Sequence, residues 1–315
     1  MVDESVSIKN RRRPWVAVVL SLVMPGLGHA YSGRFPRGLV FLFVCFIPIM
    51  LLQVGRMFEF FESVLVGVIV LLTAAPLIHI VATIDSYYVA RHTRVDYRMK
   101  DYNRWYVYVA LVLLNSASSL DATLSLRANY FEAFRVPTAS NYPTIVPGDR
   151  FIANKIAYNH SDPERGDLVV FINPQDREVN FIKRVVAVAA DTVEIKDGWL
   201  YINDRKIPRQ ALAQSALDNI RIEVNCEPLE GEVYCETNGD AQYKIFLAKA
   251  PHDQESADFA KMTVPRHHCF VLGDNRNLSH DSRHFGPIPL ATVRGRAEYL
   301  YWPVEGWSRF ESLRK

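Results

Sequence analysis

Three short stretches carry the residue types from which a hydrolytic site can be assembled. In Val136-Pro137-Thr138-Ala139-Ser140-Asn141-Tyr142-Pro143-Thr144 a serine stands between two prolines, with a second hydroxyl two residues before it. The prolines keep that backbone stiff and non-helical, so its N–H groups can face a ligand. In Asn180-Phe181-Ile182-Lys183-Arg184-Val185-Val186 a lysine lies inside a strand-like apolar pattern, and alternation puts Lys183 on one face with Phe181 and Val185. An ammonium is costly to bury, so its pKa falls from about 10.4 toward neutrality and the amine becomes a general base. In Gly273-Asp274-Asn275-Arg276-Asn277-Leu278-Ser279-His280-Asp281-Ser282-Arg283 turn formers alternate with charges, the composition of a loop whose hydrogen bonds fix its neighbours. Singly, each has a plainer reading: a Ser/Pro surface loop, a lysine snorkelling from an edge strand, a solvated turn.

Other side chains offer weaker chemistry. His267, His268, His280 and His284 invite a Ser/His/Asp triad, but no acid–His pairing accompanies them, and no carboxylate or Cys pattern completes a metal ligand set. Four cysteines are too few for a disulfide scaffold, and none has zinc spacing, so no metal site is expected. Cys226 and Cys235 bracket a short acidic loop and could pair in an exported domain, with Cys269 the spare; unpaired thiols are the alternative.

The elements that must position these residues fall into two halves of a 315-residue chain, 49% hydrophobic and 22% charged. The net charge of +2 hides an asymmetry: residues 1–104 hold 12 Lys/Arg against 7 Asp/Glu, and the remainder is net acidic. Positive charge placed between apolar runs excludes a nucleic-acid binder and suits a membrane protein. Residues 63–84 form a run of 22 without a formal charge, against the roughly 20 needed to cross about 30 Å of hydrocarbon. Residues 38–54 and 105–120 are two further spans, and residues 15–33, interrupted by Pro25-Gly26-Leu27-Gly28, either span or re-enter. Residues 1–120 are therefore read as a multi-pass anchor with no cleavable leader. Arg91, Arg94, Arg98, Lys100 and Arg104 crowd one loop, which the positive-inside tendency puts in the cytoplasm; residues 121–315 then lie on the periplasmic or extracytoplasmic side of the cell's inner membrane. Arg11, Arg12, Arg13, Arg34 and Arg37 are cytoplasmic in the same scheme if residues 15–33 do not fully cross.

Past residue 121 the apolar period changes. Residues 151–158, 167–173, 180–190, 191–204 and 268–275 are short, β-branched and aromatic, and broken by Gly, Asp and Pro, as strands and hairpins are. Lys196-Asp197-Gly198-Trp199 is a hairpin signal. The more polar residues 205–262, with the cysteine pair, read as a lobe inserted into a mostly β domain.

Together the three stretches resemble the type I signal peptidase family, membrane-bound endopeptidases with a Ser/Lys dyad, over roughly residues 134–303 in order. VPTASNYPT is similar to the family's nucleophile box, FIKRVVAVAADTV to its lysine box and GDNRNLSHDSR to its last box. The resemblance implies Ser140 as nucleophile and Lys183 as base, with an oxyanion hole from the Ser140 N–H and the Thr138 hydroxyl. It implies Ser279 as the residue that orients Lys183 by a hydrogen bond, and Asp281 with Arg283 and Asp274 with Arg184 as structural ion pairs. It also implies a mostly β catalytic domain and no cofactor. The expected partners are the lipid bilayer and exported preproteins cut at Ala-x-Ala-type sites, with the secretion machinery an open further one. Asn141 departs from the methionine usual in the family, and Ala187, Ala189 and Ala190 replace the Gly, Pro and Gly usual after the base. The four apolar N-terminal segments exceed the usual one or two. The alternatives weighed are a pilin-type processing peptidase of narrow range and a catalytically silent membrane scaffold; the retained Ser140 and Lys183 argue against the scaffold.

Overall fold

The computed structural model describes residues 12–53, 64–93, 100–213, 223–224, 227–228, 230–248, 258–304 and 306–314. Two compact units divide the chain, Met1–Ala128 and Asn129–Lys315.

The first unit is helical. Helix α1 (Pro14–Val23) opens on Pro14, where a missing N–H costs nothing, and stops at Met24, whose backbone is extended. Helix α2 (Leu27–Tyr31) folds back on α1, and Gly28 makes the approach possible: a Cβ there would lie 2.2 Å from the Ala17 carbonyl oxygen. Helices α3 (Phe35–Gln53), α4 (Val64–Arg91) and α5 (Trp105–Asn129) follow. Buried His29 on α2 donates from Nε2 to Asp85 of α4 at 2.8 Å, and Arg37 of α3 grips the same carboxylate through two bonds of 2.8 and 2.7 Å. Leu72, Leu77, Leu113 and Leu114 leave about two-thirds of their surface uncovered, giving α4 and α5 apolar outer faces.

The helices outrun the apolar runs that announce them. Helix α4 continues seven residues past residue 84 to Arg91, and α5 nine past residue 120 to Asn129. Toward the end of α5 the hydroxyls are satisfied within the helix, Ser118 donating to Leu114 O, Ser119 to Asn115 O and Thr123 to Ser119 O. Of the basic loop, Arg94 and Arg98 lie outside the described residues.

The second unit is mostly β. Its strands are β1 (Phe131–Arg135), β2 (Arg150–Asn154), β3 (Leu168–Ile172), β4 (Asn180–Ala187), β5 (Thr192–Lys196), β6 (Trp199–Ile202), β7 (Arg205–Lys206), β8 (Arg209–Ala211), β9 (Glu223–Val224) and β10 (Glu227–Pro228). They continue as β11 (Gly231–Asn238), β12 (Ala241–Ala248), β13 (Phe259–Thr263), β14 (His268–Leu272), β15 (Ile288–Pro289), β16 (Val293–Trp302) and β17 (Glu311–Ser312), with a single turn of helix, α6 (Ser282–Phe285). The largest sheet is antiparallel, in the order β1-β2-β16-β3-β4-β14-β15 with β17 beside β16. Val169, Phe171, Val185 and Val271 pack on one face of it and Leu168, Val170, Ala297 and Leu300 on the other, so its central strands are apolar on both sides. Asp197 and Gly198, at φ of 50° and 71°, make the two-residue turn between β5 and β6 that their sequence predicts.

The segment 205–262 is not one excursion from the β core. Its ends, β7 and β13, belong to a four-stranded sheet ordered β13-β5-β6-β7, and its middle forms a second sheet ordered β12-β11-β8. The strand pattern is blurred there by buried charges, Glu236 above all, which apolar alternation cannot register. The expected Cys226–Cys235 bridge falls on Cys226, which lies outside the described residues; Cys235 is half-buried and makes no disulfide among the described residues.

Candidate active site

Strand β4 carries Lys183 and Arg184 on opposite faces, as alternation requires. Lys183 faces Val169 across the β3 ladder, and its Nζ lies 5.6 Å from the centre of the Phe181 ring on the same face. Only 4% of Lys183 is exposed. Burial drives its pKa down from 10.5 to about 8, with the charges of Asp281 and Asp274 opposing and that of Arg283 assisting. Lys183 Nζ lies 2.7 Å from Ser140 Oγ.

Ser140 sits in the loop between β1 and β2, at the start of a turn in which Ile145 N–H bonds back to Asn141 O at 3.0 Å. The Thr138 hydroxyl donates to Ser140 Oγ at 3.3 Å, which draws both oxygens to one spot. The loop is tied to the strand bearing the lysine by Asn141, whose Nδ2 donates to Ile182 O at 2.8 Å. It is tied to the 273–283 loop from behind, because Asn275 N–H donates to Ser140 O at 3.1 Å and Asn275 Nδ2 to Ala139 O at 3.2 Å.

That loop holds the two ion pairs. Arg184 grips Asp274 with Nε and Nη2 at 2.7 and 2.6 Å, donates from Nη1 to Gly166 O at 2.7 Å, and lies 4.6 Å above the Tyr243 ring. Thr144 donates to the same carboxylate at 2.6 Å, joining the serine loop to the pair. Burial would lower the Arg184 pKa, but the Asp274 carboxylate outweighs it and the guanidinium stays above its ordinary value. Arg283 grips Asp281 at 2.8 and 2.9 Å, and Gly273 N–H donates to the same carboxylate at 3.0 Å. Burial raises the Asp281 pKa, but Arg283 and Gly273 N–H more than offset it and hold the carboxyl below the ordinary carboxylate range.

One expected contact is absent. Ser279 is buried and helps keep Asp281 acidic, but among the described residues its Oγ forms no well-aligned hydrogen bond, and none reaches Lys183. The lysine is set instead by its strand and by the serine itself. Among the described residues no histidine hydrogen-bonds Ser140 or Lys183: His280 bonds Gln175 at 2.9 Å, and its ring lies 4.6 Å from that of His284, tilted by 32°.

Sequence reasoning missed two supports. Gly273 is a pinch point, since a Cβ there would lie 2.2 Å from Ser279 Oγ and 2.4 Å from Ser140 O. The β11–β12 hairpin, outside the three boxes, is wired into the last of them. Phe246 of β12 bridges Asn275 in parallel, with Phe246 N–H bonded to Asp274 O and Arg276 N–H to Phe246 O at 2.9 and 3.0 Å. Glu236 of β11, fully buried, takes Arg276 through two bonds and Arg209 through a third at 2.7 Å. Burial would raise the Glu236 pKa, but the two guanidinium groups overcome it and hold the group ionised. A glutamate inside the alternation of Gly231–Asn238 was the available signal, legible only once its partners are known.

A serine hydroxyl within hydrogen-bond reach of a desolvated amine is the equipment of a nucleophile with its own base. The family model described as signal peptidase, peptidase S26, matches residues 104–302. The chain belongs to that family. It is a hydrolase of the signal peptidase I type, a serine endopeptidase. Signal peptidase I of Aquifex aeolicus (strain VF5) is 31% identical over 204 residues, covering 58% of this chain and 79% of that protein. Signal peptidase I of Leptolyngbya laminosa is 31% identical over 193 residues, covering 59% and 76%. Thylakoidal processing peptidase 1 of Arabidopsis thaliana is 30% identical over 197 residues, covering 59% of this chain and 46% of that protein. A second family model, for a family of unknown function, matches residues 16–130.

Proposed function

We propose that this chain removes signal peptides from exported preproteins through Ser140 and Lys183. The observation that carries the reading is the 2.7 Å approach of a buried amine, its pKa near 8, to a loop serine. Neutral Lys183 takes the Ser140 proton, and Oγ attacks the scissile carbonyl to give a tetrahedral oxyanion. The Ser140 N–H and the Thr138 hydroxyl hold that oxyanion; a single such donor is worth about 3 kcal/mol. Collapse to the acyl-enzyme breaks the peptide bond and passes the proton from the Lys183 ammonium to the leaving amine; the neutral Lys183 amine then takes a proton from water, which attacks the ester carbonyl, and returns it to Ser140 Oγ as the signal peptide is released. Asp274–Arg184 and Asp281–Arg283 keep loop and strand in register, and Ser279 supports that frame through Asp281.

The substrate site is read as Ala-x-Ala, with small residues at the first and third positions before the bond, and shallow pockets select for them sterically. Helices α3, α4 and α5 are read as spans and α1–α2 as re-entrant: ten residues of α1 reach about 15 Å, half the hydrocarbon thickness. Residues 1–120 then anchor the protein in the inner membrane, with residues 121–315 on the extracytoplasmic side beside substrates still held by their apolar segments. The secretion machinery is a candidate partner at that surface, and the acidic loop between Cys226 and Cys235 a candidate disulfide site.

The test is cleavage of a preprotein bearing an Ala-x-Ala site by detergent-purified protein, wild type against Ser140→Ala. The expected result is a cut after the second Ala by the wild type alone; cleavage that survives in the variant removes Ser140 from the chemistry. For topology, protease added to right-side-out vesicles should digest residues 121–315 and spare them in inside-out ones, and the reverse pattern overturns the orientation.

A further inference from the structure

Asn141 follows the serine by one residue, and Ile182 precedes the lysine by one. Two hydrogen bonds therefore close a ring across the pair: Lys183 Nζ to Ser140 Oγ at 2.7 Å on one side, and Asn141 Nδ2 to Ile182 O at 2.8 Å on the other. The β14 ladder against β4 starts only at Arg184, so Ile182 lies beyond it, and the Asn141 bond joins this end of β4 to the serine loop beside the Lys183–Ser140 contact and the 3.4 Å bond from Arg184 Nη2 to the Thr144 hydroxyl. The Asn141 side chain is fixed in turn. Its residue is 1% exposed, its own carbonyl accepts from Ile145 N–H, and only Nδ2 can face a carbonyl oxygen, because Oδ1 would repel it.

The arrangement is expensive for the fold. Among the described residues Asn141 Oδ1 is buried with no hydrogen-bond partner, and a buried acceptor without one destabilises the folded state. Methionine would fill similar space with no polar atom to satisfy and would give Ile182 no donor. A residue that is poor for packing and makes one bond between the two halves of a dyad points to a role in their alignment.

We propose that Asn141 is a positioning residue, clamping the serine loop to β4 so that Ser140 Oγ and Lys183 Nζ stay in register. This rests on the reading of Ser140 and Lys183 as nucleophile and base. Loss of the clamp acts on the chemical step rather than on substrate affinity, because a misplacement of about 1 Å at reacting atoms costs up to about a hundredfold in rate.

The experiment compares full-length wild type, Asn141→Met and Asn141→Leu, with Ser140→Ala as control, on a preprotein bearing an Ala-x-Ala site. The expected result is a kcat lowered ten- to a hundredfold in both variants, KM within about twofold, and a midpoint of thermal unfolding unchanged or higher. A kcat within twofold of wild type, a raised KM at constant kcat, or a fall in thermal midpoint that accounts for the lost rate each overturns the proposal. A second readout is independent of catalysis: the pH dependence of Lys183 ε-amine modification, followed by mass spectrometry. With Asp281, Asp274 and Arg283 unchanged around it, the Lys183 midpoint is expected to rise from about 8 in a third variant, Asn141→Ala, which leaves the space between loop and strand unfilled so that water enters. An unmoved midpoint overturns the clamp even if Ser140→Ala keeps its activity; retained activity in that control refutes the parent reading alone.

Discussion

Replacing Lys183 with methionine should produce an enzyme that is dead and yet more stable. The lysine is 4% exposed and its pKa is drawn from 10.5 to about 8, a difference that corresponds to about 3 kcal/mol at 1.36 kcal/mol per pH unit. Because the folded-state pKa lies below the unfolded-state one, the unfolded chain holds more protons between pH 8 and 10.5. Stability of the wild type therefore rises with pH across that window, and the cost of burying the ammonium is fully present below it. Methionine has similar length and no charge, and it forgoes the bond to Ser140 Oγ, worth about 1 kcal/mol. The net gain at pH 7 is about 2 kcal/mol, or about 4–8 °C in Tm for a unit of this size. Intrinsic fluorescence on heating, at one scan rate in detergent from pH 6 to 10.5, measures it. The gap between variant and wild type should be widest below pH 8 and close toward pH 10.5. Parallel curves, or a variant less stable at pH 7, would refute the argument that a desolvated amine sits at this position. With Lys183 as the proposed base, kcat/KM should climb about tenfold per pH unit below about 8 and level above it, since only a neutral amine could accept the Ser140 proton.

Lys183→Arg should fold and be inactive, because a guanidinium cannot give up its proton at any working pH; circular dichroism with the cleavage assay checks both. Gly273→Ala should lose activity and several degrees of Tm, since its Cβ would lie 2.4 Å from the Ser140 carbonyl oxygen and 2.2 Å from Ser279 Oγ; wild-type rates would mean the loop yields freely. Glu236→Gln should cost about 3–5 kcal/mol in denaturant unfolding, since it leaves Arg209 and Arg276 buried against a neutral group, and activity should fall with it through Arg276 and the loop it anchors. Ala190→Gly should hold or raise Tm by up to about 1 kcal/mol equivalent, because Ala190 sits at a φ of 71°, which costs a residue with a Cβ about 1–2 kcal/mol.

The last of these bears on how the turn after the base tolerates its alanines. Ala187 remains in β4, and Ala190 accepts the left-handed conformation because its N–H is held by Val264 O at 3.0 Å while Val264 N–H returns to Asp191 O at 2.8 Å. Tertiary bonds impose there what glycine adopts at little cost.

Local patterns were enough for the strands β2 to β6 and β14, the Asp197-Gly198 hairpin and the apolar helices, because each depends on a short-range property: alternation, turn chemistry or length without charge. Ser140, Lys183, Asp274, Asp281 and Arg283 came forward as candidates only through the combination of three stretches, each with a plainer reading by itself, and through the family resemblance that the combination carries. What lay beyond them was every feature that depends on residues far apart in the chain. Strand β16, ten residues long and central to the largest sheet, carries Glu298 buried against Arg296 and Arg314, and a buried charge reads from sequence as a solvated one. The wiring of β12 to Asn275, the pinch at Gly273, the Asn141 bond to Ile182 and the missing Ser279–Lys183 contact were likewise decided by tertiary structure. Periodicity reports which face a side chain takes; only the folded chain determines which partner satisfies a buried polar group, because that partner is fixed by distance in space and not along the sequence.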